Sequence, residues 1–141
     1  MLYVYTILLI IVMILPAVVI LPQAFTSLNY FKFPVEETSF KWFEKFFDNE
    51  QWVVGLGRSM MIAVLAAVLA TVIGTTAALA MNKLNFKGKS IFMSIMIAPM
   101  VVPVVVVGAA LYTTFAPIGL TNSIPGLVLA HTLLGIPMVF V

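Results

Sequence analysis

The residues that could carry chemistry are few and are confined to three places in the sequence. Residues 32–58 hold all five carboxylates, three lysines and the one arginine, residues 83–89 hold the other three lysines, and the single histidine is His131. Hydrolysis, phosphoryl transfer and metal-assisted catalysis each need several such groups converging on one point. Because the carboxylates share one segment and there are no cysteines, the sequence predicts no catalytic residue, no cofactor site and no metal site.

One short motif has the wrong context for nucleotide chemistry. Lys87-Gly88-Lys89-Ser90 ends like a phosphate-binding loop, whose first glycine stands five places before the second. That position is Lys83, and no strand pattern precedes it. The match is therefore attributed to chance.

The composition then limits the class of protein. Hydrophobic residues make up 63% of the 141 residues and charged residues 9%, against about 45–50% and about 25% in ordinary globular domains. Residues 1–31 and 59–82 carry no charge, and residues 90–141 carry only the titratable His131. A soluble enzyme, a nucleic-acid binder and a disordered tail are excluded, because none of them could solvate such stretches. A membrane protein remains.

The apolar runs predict an all-α, polytopic transmembrane helix bundle with four spans. Each run approaches the roughly 20 residues that cross a bilayer. The spans are expected at residues 3–21, 59–81, 90–115 and 124–141, within a single transmembrane domain 1–141. The first run lacks the basic start and small-residue cleavage site of a signal peptide, which favours a retained anchor helix. Because the sequence stops at Val141 inside an apolar run, we expect the domain to be incomplete at its C-terminus.

Residues 22–58 form the one sizeable polar segment. Pro22 and Pro34 predict irregular backbone in its first part, and Thr38 or Ser39 could cap a following helix. An amphipathic helix is expected at about 39–48, with aromatic rings on one side and charges on the other. Two interpretations stay open: the helix lies in the headgroup layer of the membrane, or it packs its rings onto its own bundle.

Small residues recur every fourth position in the second predicted span. Lipid provides no hydrophobic reason for helices to associate, so they associate where small side chains let backbones approach. Two such rows predict a helix buried against other helices, although alanine is also simply abundant in membrane spans. The rows are Ala66, Ala70, Gly74 and Ala78, and Ala63, Ala67, Thr71 and Thr75.

Prolines and one histidine are the candidates for a translocation path or a gate. Pro99, Pro103 and Pro137 should break or kink helices, which in a bundle marks either a pathway or a moving part; passive kinking that merely fits the packing is the alternative. His131 is the only titratable group in a predicted span. It could contact substrate, or it could bond a carbonyl or hydroxyl group of a neighbouring helix.

Lysines predict the orientation in the membrane. Short loops rich in Lys and Arg stay cytoplasmic, so Lys83, Lys87 and Lys89 place the 83–89 loop inside. The N-terminus is then cytoplasmic, and segments 22–58 and 116–123 lie on the periplasmic or extracellular side of the cell (inner) membrane.

From about Leu15 onward, the sequence resembles the membrane-spanning permease subunit of a type I, binding-protein-dependent ABC importer, in the spermidine/putrescine branch. The order and spacing of the matching stretches across nearly the whole chain carry the resemblance. They are Pro22 to Ser27 (PQAFTS), Thr38 to Phe47 (TSFKWFEKFF), Ser59 to Ala80 (SMMIAVLAAVLATVIGTTAALA), Phe86 to Lys89 (FKGK), Ala98 to Pro103 (APMVVP), Gly108 to Phe115, and Ala130 to Val141 (AHTLLGIPMVFV).

The resemblance implies partners and no enzymatic activity of the chain itself. Such a subunit pairs with a second permease subunit, identical or different, and receives its solute from an extracytoplasmic substrate-binding protein. Two ATPase subunits drive it, nucleic acid has no part, and membrane lipid surrounds it. The family's ATPase-docking loop, with its Glu-Ala-Ala signature, follows the helix that matches 124–141, so the chain corresponds to the N-terminal half. The alternatives are a secondary transporter or channel, or a small membrane scaffold protein.

Overall fold

The computed structural model describes residues 2–141 and shows a helical chain, in which the only β contact of the described part is an isolated bridge between Thr26 and Thr38. Met1, where the predicted domain and the predicted cytoplasmic terminus begin, lies outside the described residues. The chain forms two compact units, one ending at Gly55 and the other beginning at Leu56. The helices are α1 (Leu2–Ile20), α2 (Lys41–Asp48), α3 (Glu50–Lys83), α4 (Lys89–Val101), α5 (Val104–Phe115) and α6 (Ile124–Phe140), with 3₁₀ helices at Leu21–Phe25 and Ala116–Ile118.

The first unit begins with an apolar helix that has no buried residue. α1 continues directly into the 3₁₀ helix Leu21–Phe25, and an 18-residue window within these 24 residues has a mean hydropathy of 3.0. Irregular backbone was expected at Pro22, but Pro22 lies in the first turn of the 3₁₀ helix. Proline fits there because the first amide groups of a helix have no internal acceptor.

A loop then returns the chain to the end of this helix. The Ser27 N–H donates to Glu37 O (3.2 Å), and the Ser39 N–H donates to Phe25 O (2.6 Å). α2 follows with Phe40 at the N-cap position, and the Phe40 side chain makes no capping bond. Ser39, one of the two expected caps, lies one residue earlier, and its Oγ accepts from the N–H of Lys41, the first residue of α2 (3.1 Å).

α3 begins at Glu50 rather than near residue 59. Asn49 explains the early start, because its Oδ1 accepts from the N–H groups of Gln51 (3.0 Å) and Trp52 (3.4 Å). A side-chain acceptor of this kind satisfies amides that a helix start would otherwise leave free. The helix therefore runs for 34 residues and carries the predicted second span inside it.

The third predicted span, 90–115, is not one helix. α4 ends at Val101 and α5 begins at Val104, and the two helices are bent by 106°. Pro103 has no N–H to continue the helix, and its ring disfavours helical backbone at the preceding residue. Val102 accordingly has an extended conformation (φ −75°, ψ 134°). The sequence predicted a kink, and the structure has a break.

α6 begins where the sequence predicted. The Ser123 Oγ accepts from the Gly126 N–H (3.1 Å), and Pro125 lies in the first turn. Leu2–Phe25 and Glu50–Lys83 are long and apolar enough to cross a membrane, and the α4–α5 pair is a third candidate if it counts as one span. α6, with 17 residues, is shorter, and its length of about 25 Å at 1.5 Å per residue is near the lower limit for a crossing.

Candidate functional site

The small-residue row of α3 is buried within the second unit and forms a packing seam. Ala66 and Ala70 are 6% and 4% exposed, and Gly74 is also buried. Ala78, the last member of the predicted row, is half-buried. Ile62 extends the buried row by one turn towards the N-terminus; sequence reasoning missed it because it is not a small residue. The second row, Ala63, Ala67, Thr71 and Thr75, is exposed.

This face of α3 packs against α6 at very short range. A Cβ atom added to Gly74 would lie 2.7 Å from the Val139 Cβ and 3.2 Å from the Ile136 carbonyl oxygen. On the opposite helix, a Cβ added to Gly135 would lie 3.1 Å from the Ala70 Cβ. Each helix therefore presents a glycine where the other approaches, as expected for association through small residues. Gly135 was not predicted, since a lone glycine in an apolar run has no periodic signal.

The three candidate prolines have different surroundings. Pro137 is fully buried within α6, Pro99 is half-buried in α4, and Pro103 is exposed at the break before α5. α6 continues through Pro137 without interruption, and the Val141 N–H donates to Pro137 O (3.1 Å). Its burial favours a packing role for Pro137, whereas Pro103 is the residue at which the chain changes direction.

His131 contacts its own helix. Its Nδ1 lies 2.8 Å from Leu127 O, one turn earlier in α6, and the residue is exposed. A carbonyl oxygen only accepts, so Nδ1 carries the proton in this bond. The next residue, Thr132, is buried and donates to Val128 O (2.7 Å). The structure therefore shows neither the predicted bond to a neighbouring helix nor an enclosed site around the imidazole.

Two cavities lie beside α6, one near each of its ends. A cavity of about 340 Å³ is lined by Gly108 and Tyr112 of α5 and by Leu127 of α6. A cavity of about 350 Å³ lies where α3, α4 and the end of α6 meet, and Lys89 and Phe140 are among its lining residues. Both are apolar in the main. They show that the end of α5 is near the start of α6, and that the start of α4 is near the end of α6.

The three lysines of the basic turn carry no acidic partner in the described chain, where the one ion pair joins Lys32 and Glu36 (2.7 Å). Lys83 and Lys87 are exposed. Lys89 donates from Nζ to Leu84 O (3.2 Å). The turn therefore carries an unneutralised positive charge, and this charge is the property from which its cytoplasmic position was predicted.

Apolar helices, two of which pack through small residues, define a helical, membrane-embedded protein. Comparison with known proteins identifies its relatives. The chain is related by sequence to permease proteins of ABC transport systems. It is 31% identical to the spermidine/putrescine transport system permease protein PotC of Haemophilus influenzae over 73% of this chain and 40% of that protein. It is 25% identical to PotC of Escherichia coli over 90% of this chain and 48% of that protein.

A third relative is named for another solute. The chain is 30% identical to the sulfoquinovosyl glycerol transport system permease protein SmoH of Agrobacterium fabrum, over 65% of this chain and 32% of that protein. No protein-family model and no solved structure matches the chain. The chain spans less than half the length of each of these three relatives.

Proposed function

We propose that this chain is part of a permease subunit of an ABC importer in the inner membrane, and that it forms a portion of the solute path. The observation that carries the proposal is its similarity to named ABC permease proteins across 73% to 90% of the chain. Two features support this proposal: the close α3–α6 packing suits a part that moves as one body, and the broken α4–α5 pair is similar to the discontinuous helices that form solute sites in transporters. The chain itself hydrolyses nothing.

A polyamine is the proposed solute, because two of the relatives are named as spermidine/putrescine permeases. We propose as partners a second permease subunit, two ATPase subunits on the cytoplasmic side and an extracytoplasmic binding protein. The relative named for sulfoquinovosyl glycerol indicates that the permease role is better supported than the solute.

Uptake by the intact gene product tests this function. Cells that lack their own polyamine importers and express this gene with its neighbouring genes should accumulate radiolabelled putrescine or spermidine, and ATPase subunits should co-purify with the tagged protein. Depleting ATP while maintaining the proton gradient should abolish uptake. Uptake that instead follows the proton or sodium gradient would indicate a secondary transporter, and a stable product that neither transports nor binds an ATPase would indicate a scaffold.

We further propose four crossings with the N-terminus inside, counting α4 and α5 together as one crossing. The cavity near Lys89 and Phe140 places the start of α4 beside the end of α6. The cavity near Tyr112 and Leu127 places the end of α5 beside the start of α6. A pair of helices that begins at one end of α6 and finishes at the other supports a crossing rather than a re-entrant loop.

Cysteine labelling distinguishes these two topologies, and the cysteine-free sequence provides the background for it. We expect Gln51→Cys and Ile118→Cys to react with a membrane-impermeant maleimide in intact cells, and Asn85→Cys to react only after permeabilisation. All three residues are exposed, so accessibility within the protein does not limit the reaction. If α4–α5 were re-entrant, Ile118→Cys would behave like Asn85→Cys, and an inverted protein would show the opposite pattern at all three positions.

A further inference from the structure

The start of α2 is fixed against the end of the first apolar helix. Phe25, the last residue of the 3₁₀ helix, packs against Phe40 (ring centroids 5.7 Å apart) and Phe43 (5.4 Å). The Ser39 N–H donates to Phe25 O (2.6 Å), and Thr26 pairs with Thr38. The start of α2 is therefore fixed next to Phe25 by backbone bonds as well as by side-chain packing.

The length of α1 sets the depth of Phe25 in a bilayer that α1 crosses. α1 has 19 residues, or about 28 Å at 1.5 Å per residue, close to the roughly 30 Å of a hydrocarbon core. The 3₁₀ helix Leu21–Phe25 continues from it and adds about 10 Å at 2.0 Å per residue, so Phe25 lies just past the hydrocarbon core, within the headgroup layer. α2, which is attached to Phe25, lies at the same depth.

α2 separates its aromatic and charged residues completely. At about 100° per residue, the aromatic residues fall on one side of the helix and the charged residues on the other. The aromatic side comprises Phe40, Trp42, Phe43, Phe46 and Phe47, and the charged side comprises Lys41, Glu44, Lys45 and Asp48. Such a short helix with this pattern is typical of helices that lie in the plane of the membrane interface.

The protein leaves most of the aromatic side uncovered. Phe40 and Phe47 are 66% and 67% exposed, and Trp52, whose ring lies 6.2 Å from that of Phe46, is 63% exposed. Phe43, held by Phe25, is still 39% exposed. Phe25 therefore covers only one edge of this aromatic side, and the exposure of the remaining rings favours the headgroup interpretation over packing onto the bundle.

Trp42 lies at the border between the two sides. The ammonium groups of Lys41 and Lys45 lie 4.8 and 4.9 Å from the centroid of its ring, and Lys41 also donates to Ser27 O and to Asn29 Oδ1 (3.0 Å). The lysines are thus engaged by the protein, and two basic and two acidic groups leave the charged side of α2 without net charge. Electrostatic attraction to anionic lipid is therefore not the source of binding.

We propose that α2 is an interfacial anchor, whose aromatic side inserts into the lipid at the headgroup boundary on the side where Phe25 ends. The partner is the bilayer itself, recognised through apolar area rather than through lipid charge. This inference depends on the chain being embedded in a membrane and not on the proposed transport function. A failure of uptake would therefore leave it standing.

The two tryptophans of the chain, Trp42 and Trp52, report on this segment directly. The Trp52→Phe protein, reconstituted in phosphatidylcholine vesicles, carries Trp42 as its single fluorophore. We expect at least twofold stronger quenching by lipid brominated near the headgroup end of the acyl chain than by lipid brominated near its methyl end. Quenching by aqueous iodide should be at least threefold weaker than for free tryptophan, and adding anionic lipid should leave the bromine quenching unchanged.

Two variants in this background form a matched pair. Phe47→Glu places a carboxylate on the aromatic side and should reduce bromine quenching of Trp42 at least twofold. Asp48→Glu places the same side chain on the charged side, at a position without a described contact to Trp42, and should leave the ratio of shallow to deep quenching unchanged. Strong iodide quenching without bromine quenching in the Trp52→Phe protein would show α2 in water, and quenching by neither would show its rings covered by protein. Either result overturns the proposal, whether or not the Glu variants fold.

Discussion

A Gly74→Leu substitution should prevent the second unit from folding. A Cβ atom at this position would already lie 2.7 Å from the Val139 Cβ and 2.9 Å from its Cγ1, and the Ile136 carbonyl oxygen is 3.2 Å away. Overpacking usually costs about 1–3 kcal/mol. Leucine adds four carbons where the first does not fit, so we expect a cost above about 3 kcal/mol. The measurement is the monodisperse fraction of the purified chain in detergent, which should fall at least fivefold.

The matched control lies on the same helix. Nothing lies within 4 Å of a Cβ built on Gly57, so Gly57→Leu should preserve the monodisperse fraction. Replacing a helical glycine there should add up to about 1 kcal/mol of stability through helix propensity. Equal behaviour of the two variants would contradict the α3–α6 seam and would indicate that the Gly74 face meets lipid.

Gly126→Ala should destabilise the start of α6 although it adds only one methyl group. The new Cβ would overlap the Leu120 carbonyl oxygen and lie 3.0 Å from its carbonyl carbon and 3.1 Å from the Ser123 Oγ. These are backbone and capping atoms, which cannot rotate away as the end of a side chain can. The same Ser123 Oγ donates to Leu120 O (2.8 Å) and accepts from the Gly126 N–H (3.1 Å), so one shift breaks both bonds.

The expected cost of Gly126→Ala is at least about 2 kcal/mol, since it combines overpacking with the loss of a helix cap. The midpoint of unfolding on titration of detergent micelles with sodium dodecyl sulfate, followed by circular dichroism, should move to lower denaturant. Gly108→Ala is the control, because a Cβ at Gly108 has nothing within 4 Å and alanine is the better helix former. A midpoint for Gly126→Ala at or above that of the unmodified chain would show that the Leu120 turn is not formed.

Helices with strong local signals could be predicted from the sequence. α1, the middle of α3 and the start of α6 at Ser123-Ile124-Pro125 were predicted within a few residues. The length of an uncharged run and the identity of the cap residues are local properties, so they predict a helix without knowledge of distant contacts. The amphipathic pattern at 39–48 likewise appears as α2.

The candidate site was predicted less completely. The row Ala66, Ala70 and Gly74 is buried, but its partner Gly135 lies 61 positions beyond Gly74 in sequence and has no periodic pattern of its own. The break at Pro103 was expected as a kink. A proline in the sequence shows that one helical hydrogen bond is missing, but it leaves the angle between the two helical segments undetermined. The involvement of the prolines and of His131 in a solute path stays a prediction.

The sequence by itself determined that the chain is apolar enough to be embedded in a membrane, roughly where most of its helices lie, and that it resembles ABC permeases, because hydrophobicity and residue identity are properties of each position. Only the tertiary structure decided which of two small-residue rows is packed, how far the chain turns between α4 and α5, and how much of the aromatic side of α2 its own unit leaves exposed. These properties depend on which atoms meet across long stretches of chain, and a helix with two equally small faces gives no local preference between them.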